Sequence, residues 1–334
     1  MKPSLEFLGI KLKNPLVLAS GLLGTTGASL AAVAAAGAGA VTLKSAWLQR
    51  HEGHPNPTVI HLGGGNLINA VGLPHGGVTE AKTEIESFRK LSRTPLFASV
   101  AAGSVGEYIE TVAEIAKLKP KLIEVNISCP NVENEFGKPF EHDLELTKDL
   151  IVRAKENCGN IPLAIKISRN VRSVTKLAKT IESAGADAIT AINTVGPGML
   201  IDIETAKPIL ANKVGGLSGP AIRPLAVKAV FDIYKAVQIP IIGTGGVSNA
   251  RDVIEMLQAG ATLVGIGSAV IDGAKVFRKI AREMKTWCEE HDIEDITELI
   301  GAAHSSNVIP ADPEPVEGES REPENTPRDL PAEA

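Results

Sequence analysis

The chain has 334 residues, 44% of them hydrophobic and only 3% aromatic, and a formal net charge of −5. Residues 311–334 contain eight acidic side chains and two arginines, so the rest of the chain is close to neutral. A near-neutral body argues against nucleic-acid binding, and no apolar run reaches the roughly 20 residues of a membrane span. In the absence of a signal-peptide pattern, we expect a cytoplasmic protein with no membrane or nucleic-acid partner.

Two further features of the composition indicate how the chain is organised and what kind of site it can contain. Residues 309–334 are rich in proline and glutamate and have almost no large apolar side chain, so we expect a disordered tail after a folded domain of residues 1–308. The cysteines are Cys129, Cys158 and Cys288, and none forms a C-x-x-C pair. This spacing predicts reduced thiols and no metal centre.

Short β-branched runs alternate with amphipathic stretches up to about residue 290. A short hairpin is predicted at 5–12. The strands predicted after it are Leu16–Ser20, Ala40–Lys44, Leu96–Val100, Leu122–Ser128, Leu163–Ile167, Ala188–Ile192, Ile239–Gly243 and Leu263–Ile266. The predicted helices are 27–37, 80–91, 105–117, 143–157, 172–184, 221–236, 249–259 and 272–290.

Eight strand–helix pairs in succession, without the composition break of a second domain, predict an α/β fold with a single (β/α)8 TIM barrel. The hairpin is expected to cap the bottom of this barrel. Two connections, 45–80 and 194–216, are long for such a fold. Both follow strands, so both are expected on the face where barrel enzymes carry out chemistry.

The hexapeptide Asn126-Ile127-Ser128-Cys129-Pro130-Asn131 follows the fourth predicted barrel strand and places a thiol between two carboxamides. Carboxamides donate and accept hydrogen bonds, which suits a planar ligand with amide N–H and carbonyl groups. A thiol accepts a proton only as the thiolate. The pattern alone also fits a buried cysteine in a proline turn, but its position at the end of a barrel strand favours a proton acceptor.

Other polar residues fall at the same strand ends. Lys44 and Lys166 end two different strands, where an ammonium can hold a carboxylate or the electron-rich edge of a reduced flavin; each alone also fits a solvated strand end. Glycine-rich turns at 243–247 and 265–269 leave the last two strands, and the backbone N–H groups of such a pair form the usual phosphate site of barrels. The alternative is two ordinary glycine-rich turns.

The first long connection contains Asn69 and Gly72, which offer a carboxamide and a close backbone approach to a ligand. Four histidines also lie in this connection, and their spacing matches no usual pattern of metal ligands. We interpret them as solvated loop residues: His51, His54, His61 and His75.

These segments together resemble the dihydroorotate dehydrogenases, a family of flavin-dependent barrels. The resemblance covers about residues 3–308. It rests on Asn14-Pro15, Ala19-Ser20-Gly21, Thr42-Leu43-Lys44-Ser45, Ile68-Asn69-Ala70-Val71-Gly72-Leu73, the hexapeptide, Lys166-Ile167-Ser168, Ile192-Asn193-Thr194, Gly215-Gly216-Leu217-Ser218-Gly219-Pro220, Gly243-Thr244-Gly245-Gly246 and Gly267-Ser268.

The resemblance implies FMN as the cofactor and the oxidation of dihydroorotate to orotate in pyrimidine biosynthesis. Cys129 is then the general base that removes the proton from C5, while hydride leaves C6 for flavin N5. The residues implied for FMN are Ser20, Gly21, Lys44, Ser45, Asn126, Lys166, Ile192, Ser218, Gly219, Gly245, Gly246, Gly267 and Ser268. Those implied for dihydroorotate are Lys44, Asn69, Gly72, Leu73, Asn126, Asn131, Asn193 and Thr194.

The resemblance also implies a class within the family. Cysteine at 129 is typical of soluble class 1, since the membrane-bound branch has serine. The segments 53–57 and 301–304 resemble class 1B, with archaeal members most similar; this class passes electrons to NAD through a partner subunit with FAD and a 2Fe–2S cluster. We therefore expect a homodimer, or a heterotetramer with that subunit. The stretch 131–138 departs from the glycine pair typical of the branch.

Three alternatives remain open. A flavin barrel similar to dihydropyrimidine or dihydrouracil dehydrogenase subunits would act on a substrate without a carboxylate. A non-redox phosphate-binding barrel, such as an isomerase or synthase, would contain no flavin. A non-catalytic flavin-binding subunit would not depend on Cys129.

Overall fold

The structure is a computed structural model that describes residues 1–128 and 139–305. Residues Met1–His304 form one compact unit. Its strands are β1 (Leu5–Phe7), β2 (Ile10–Leu12), β3 (Leu16–Leu18), β4 (Ala40–Ala46), β5 (Val59–Gly63), β6 (Asn66–Asn69), β7 (Leu96–Val100), β8 (Leu122–Asn126), β9 (Leu163–Ile167), β10 (Ala188–Ala191), β11 (Val195–Met199), β12 (Ile201–Asp202), β13 (Lys207–Pro208), β14 (Val214–Ser218), β15 (Ile241–Thr244) and β16 (Leu263–Ile266). Its α-helices are α1 (Gly27–Ala35), α2 (Gly77–Leu91), α3 (Val105–Lys117), α4 (Leu144–Asn157), α5 (Val174–Ser183), α6 (Arg223–Ala236), α7 (Ala250–Gln258) and α8 (Val276–Glu290).

Eight parallel strands close into a barrel in the order β3, β4, β7, β8, β9, β10, β15 and β16, with β16 paired to β3. This confirms the predicted (β/α)8 barrel. Three strand predictions match the observed bounds, four differ by one or two residues at one end, and one differs at both ends. The strand predicted from Ile239 begins instead at Ile241, because Pro240 has no N–H to donate to the sheet.

The amino ends of the barrel strands are sealed by apolar side chains. The β1–β2 pair is the predicted hairpin, with Leu5 opposite Leu12. Its side chains form one buried cluster with residues from all eight barrel strands: Leu5, Phe7, Ile10, Leu12, Val17, Ala40, Phe97, Leu122, Ala164, Ala188, Ile242 and Leu263. Side chains two residues apart share a face of a strand, so Glu124 and Asn126 follow Leu122 along the barrel interior.

The two long connections build a second sheet at the opposite end. It is antiparallel, with the order β11–β14–β6–β5, and it pairs Gly216 with Asn69 and Leu217 with Ile68. None of its strands is predicted from the sequence. In 195–218, glycines and two prolines interrupt the apolar alternation. The expectation that both connections lie on the functional face nevertheless agrees with their position.

No helix in 1–128 or 139–305 is long and apolar enough to cross a bilayer. The predicted domain boundary at 308 and the tail 309–334 lie outside the described residues, so both stay predictions.

Candidate active site

A cavity of about 490 Å³ lies at the carboxyl ends of the barrel strands, beside the β5–β6–β14–β11 sheet. This volume is within the range of small-molecule sites. Every predicted cofactor or substrate residue in the described ranges lines it: Ser20, Gly21, Lys44, Ser45, Asn69, Gly72, Leu73, Asn126, Lys166, Ile192, Asn193, Thr194, Ser218, Gly219, Gly245, Gly246, Gly267 and Ser268. Cys129 and Asn131 lie outside the described residues, so their roles stay predictions.

Lys166 forms part of the cavity floor. Only 6% of the residue is exposed, and its Nζ donates a hydrogen bond to Ser20 Oγ at 2.9 Å. An ammonium has three N–H donors, and a buried carboxylate oxygen, Glu124 Oε1, lies 4.0 Å from Nζ. Because Lys166 lines the cavity, its ammonium suits a ligand with electron-rich oxygen or nitrogen atoms, such as the expected edge of a flavin.

The carboxamides of Asn126 and Asn193 are held side by side. Asn193 Nδ2 donates to Asn126 Oδ1 at 3.4 Å and to Ser128 Oγ at 3.1 Å. Ser128 Oγ in turn contacts Asn126 Oδ1 at 3.2 Å, and the Tyr108 hydroxyl donates to the Asn126 carbonyl at 2.6 Å. These bonds fix two amide planes at the cavity wall, which suits recognition of a flat ligand with N–H and C=O groups.

The end of β6 and the loop after it also line the cavity. Asn69 Nδ2 donates to the Gly216 carbonyl at 3.3 Å, and Trp47 Nε1 donates to the Leu73 carbonyl at 2.9 Å. Gly72 has a φ of +71°, and a Cβ there would lie 2.8 Å from the His54 ring. Only glycine therefore allows the backbone to follow this path next to the cavity.

Two glycines provide a test of whether the cavity fits a flavin nucleotide. Gly21 and Gly267 line it, and a Cβ on either would meet no protein atom closer than Ala19 Cβ, at 4.0 Å from the Gly267 position. Open space beside glycine backbone at the ends of β3 and β16 is what a phosphate or ring approaching backbone N–H groups requires. The residues present therefore fit the group that the sequence implies.

A buried carboxylate lies next to this site without lining the cavity. Glu141 is 2% exposed, and its carboxylate accepts hydrogen bonds from the Ser168 N–H at 2.7 Å and the Ser168 hydroxyl at 2.5 Å. Burial raises the pKa of Glu141 to about 7, although both bonds from Ser168 act in the opposite direction. Its own N–H donates to the Ile127 carbonyl at 3.4 Å, so Glu141 joins the chain on either side of 129–138.

Several residues of the site are not predicted from the sequence. The further residues that line the cavity are Ala19, Leu22, Leu23, Thr25, Thr58, Val59, Leu67, Val71, Pro74, Ile222 and Thr244. The apolar side chains among them provide a surface for a flat ring. The alternation of Leu67, Asn69 and Val71 is the sequence pattern from which part of this surface could have been predicted. Glu124 and Glu141 are also missed; a carboxylate in the middle of the apolar run 122–126 is the signal for Glu124.

The interpretation of the four histidines as solvated is wrong for His75. This residue is 8% exposed, its Nδ1 accepts a hydrogen bond from the Gly77 N–H at 3.0 Å, and burial lowers its pKa. His51 stacks on Trp47 at 4.2 Å between ring centroids, and His54 Nδ1 contacts the Ala70 carbonyl. Backbone pairing between His51 and His75 orders this part of the connection, which the sequence pattern does not reveal.

Comparison with known proteins identifies the family. The family model described as dihydroorotate dehydrogenase matches residues 4–287. A protein of Methanosarcina mazei named dihydroorotate dehydrogenase B (NAD(+)), catalytic subunit, is 42% identical over 89% of this chain and 93% of its own. Proteins with the same name in Methanothermobacter thermautotrophicus and Bacillus pumilus are 40% and 38% identical, over 88% and 92% of this chain and 96% and 98% of their own. The chain therefore belongs to the dihydroorotate dehydrogenase family, whose members are flavin-dependent oxidoreductases that act on a CH–CH group.

Proposed function

We propose that this chain oxidises dihydroorotate to orotate in de novo pyrimidine biosynthesis, with FMN as its cofactor. The observation that carries the proposal is the convergence of Lys44, Lys166 and the glycine turns after β15 and β16 on one cavity. The carboxamides of Asn126 and Asn193 face the same space. The names of the relatives support the same activity.

Residues at the carboxyl ends of most barrel strands, together with the end of β14, would hold FMN. Backbone N–H groups of Gly245, Gly246, Gly267 and Ser268 would bind the phosphate, because such turns beside helix starts attract anions. Lys166 would direct its ammonium to the N1–C2=O edge of the ring. FMN, when bound, accepts the hydride that leaves the substrate. The remaining contacts are proposed for Ser20, Gly21, Lys44, Ser45, Asn126, Ile192, Ser218 and Gly219.

The substrate would lie between the flavin and residue 129. Lys44 would bind its carboxylate, and the carboxamides of Asn69, Asn126 and Asn193, with the predicted Asn131, would bind its amide edges. Gly72, Leu73 and Thr194 would complete the wall. Cys129 would take the proton from C5 as hydride leaves C6, which forms the C5=C6 double bond of orotate.

We further propose a class 1B assembly. The relatives are named catalytic subunits of an NAD(+) enzyme, which supports a partner subunit. That subunit would carry FAD and a 2Fe–2S cluster, and the assembly would be cytoplasmic. Met199 at the end of β11, Ile201 in β12 and Ile203 directly after β12 are 49%, 56% and 87% exposed. Exposed apolar side chains of this kind support a protein contact there, either in a homodimer or with the partner. The proposed catalytic domain is 1–308.

The test is to purify the protein, identify any released flavin by mass spectrometry, and compare turnover of dihydroorotate with dihydrouracil. Bound FMN and a clear preference for dihydroorotate are expected. Protein without flavin would favour a non-redox phosphate-binding barrel. A preference for dihydrouracil would favour the dihydropyrimidine alternative, and flavin without turnover of either would favour a non-catalytic subunit.

A further inference from the structure

A buried carboxylate lies behind Ser20 and Lys166 in the barrel interior. Glu124 is 5% exposed and does not line the cavity, whereas Ser20 and Lys166 do. The Ser20 hydroxyl donates to Glu124 Oε1 at 2.9 Å and accepts from Lys166 Nζ at 2.9 Å. The three side chains therefore form a chain from the interior to the cavity, with the hydroxyl as the bridge.

The bridge keeps two opposite charges apart. Lys166 Nζ and Glu124 Oε1 are 4.0 Å from each other, which is beyond a direct hydrogen bond. In a low-dielectric interior an unscreened pair at this distance attracts strongly, so the hydroxyl between them prevents the ammonium from moving closer to the carboxylate. The consequence is an ammonium held at the cavity surface while its charge is partly neutralised from behind.

Strand register explains why these groups meet. Asn126 pairs with Lys166 and Glu124 with Ala164 on neighbouring strands β8 and β9. Glu124 and Asn126 lie on one face of β8, two residues apart, with Glu124 one level deeper in the barrel. Ser20 follows β3 across the barrel and supplies the hydroxyl from the opposite side.

We propose that Glu124 is a positioning residue that acts through Ser20 to hold the Lys166 ammonium toward the flavin and to set the redox potential of that flavin. The inference deepens the proposed function and rests on it. It also assigns Ser20 a bridging role, because its only hydroxyl proton is committed to Glu124. The carboxylate stabilises the oxidised flavin relative to the reduced one, since it offsets the positive charge that attracts the electron-rich reduced ring.

Two substitutions should shift the midpoint potential in opposite directions. Glu124→Gln keeps the shape of the side chain and an acceptor for Ser20 but removes the negative charge, so the potential of the bound flavin should rise. Ser20→Ala removes the bridge and lets Lys166 approach Glu124, so the ammonium leaves the cavity surface. The potential should then fall and flavin should bind more weakly.

The experiment is a reductive titration of the purified, flavin-bound protein against reference dyes, together with the dissociation constant of the flavin. A tenfold change in the relative affinity for reduced and oxidised flavin corresponds to about 30 mV in a two-electron couple, and at least this shift is expected in each variant. Glu110→Gln, which removes an exposed carboxylate on α3, is the matched control and should leave the potential unchanged.

Flavin-bound Glu124→Gln protein at the wild-type potential would overturn the inference. If that variant does not fold, the Ser20→Ala variant tests the inference instead, because this substitution is small and keeps both charges. An unchanged or raised potential in Ser20→Ala would contradict the bridging role of Ser20. Wild-type protein without flavin would overturn the proposed function and this inference with it. A raised potential in Glu124→Gln together with a lowered potential in Ser20→Ala would support it.

Discussion

The Glu141 carboxylate accepts hydrogen bonds from both the N–H and the hydroxyl of Ser168, at 2.7 and 2.5 Å. Ser168 directly follows strand β9, and its hydroxyl also accepts a bond from the Asn170 N–H at 2.9 Å. Glu141 in turn bonds the Ile127 carbonyl through its own N–H. The ends of β8 and β9, which lead into the cavity, are thus joined through one buried acid.

This relationship predicts a dependence of stability on pH. Burial raises the pKa of Glu141 to about 7 in the folded protein, from 4.5, so the folded state binds its proton more tightly than the unfolded state does. Its contribution to the free energy of unfolding is therefore fully present below pH 4.5 and is lost as the pH rises through about 7. The shift in pKa from 4.5 to about 7 corresponds to a loss of about 3 kcal/mol in the free energy of unfolding across this range.

Glu141→Gln tests this prediction, because the amide imitates the protonated acid and does not titrate. Urea unfolding between pH 5 and 8 should give a shallower decline in the free energy of unfolding for the variant than for the wild type. Glu145→Gln, an exposed change on α4, is the control. A variant with the same pH dependence as the wild type would show that Glu141 does not titrate in this range.

A second prediction concerns substrate choice. Lys44→Met keeps much of the apolar stem but removes the charge proposed to bind the substrate carboxylate. A hydrogen bond to a charged group contributes about 1.5–3 kcal/mol, so kcat/KM for dihydroorotate, measured per bound flavin, should fall roughly 10- to 100-fold.

Dihydrouracil has no carboxylate, so its kcat/KM should change little in the same variant. The control Lys179→Met, which changes an exposed lysine of α5, should alter kcat/KM for neither substrate. Equal losses for both substrates would mean that Lys44 supports the flavin rather than the carboxylate.

The barrel was predictable because its signals are local. Runs such as Leu96–Val100 and Leu163–Ile167 are buried throughout and are separated by helices with clear apolar faces, so pattern alone gives their bounds. The β5–β6–β14–β11 sheet was not predictable from the sequence, because β14 pairs with a strand about 150 residues earlier in the chain. Such pairing depends on tertiary structure and leaves no periodic signal in a glycine-rich segment.

The sequence predicts those site residues that lie at the carboxyl ends of barrel strands. Lys44, Asn126 and Lys166 converge because the carboxyl ends of parallel strands meet at one face. Glu124 and Glu141 could not be assigned in the same way, since neither touches the cavity. Their roles depend on Ser20 and Ser168, residues distant in sequence that only the folded chain brings near.

The glycine turn after β15 provides a third prediction. Gly246 has a φ of +74°, and a Cβ there would lie 2.7 Å from the Arg223 backbone nitrogen. Gly246→Ala should therefore destabilise the protein by about 1–3 kcal/mol and weaken flavin binding. Chemical unfolding and flavin titration measure the two effects.

Gly106→Ala is the matched control on α3, where an added Cβ meets no atom within 4 Å. Alanine is the better helix former by up to about 1 kcal/mol, so this variant should be as stable as the wild type or more so, with unchanged flavin affinity. Similar losses in both variants would argue against a special role for the turn.

A fourth prediction concerns association. Ile203 is 87% exposed next to the β12–β13 ribbon, and Ile203→Glu should weaken any protein contact that buries it, because a buried unpaired carboxylate is costly. Size-exclusion chromatography with light scattering should show a shift toward monomer, whereas Leu91→Glu at the end of α2 should not. An unchanged mass for Ile203→Glu would place the interface elsewhere.

The most direct test of the central claim is the rate at which dihydroorotate bleaches the bound flavin under anaerobic conditions, followed by stopped-flow absorbance. Wild-type protein should bleach rapidly. Cys129→Ala should retain its flavin and bleach at least about 100-fold more slowly, since general base catalysis contributes about 10²–10⁴-fold. Bleaching of the variant at the wild-type rate, or no bleaching of flavin-bound wild-type protein, would contradict the proposal that this cavity oxidises dihydroorotate with Cys129 as the base.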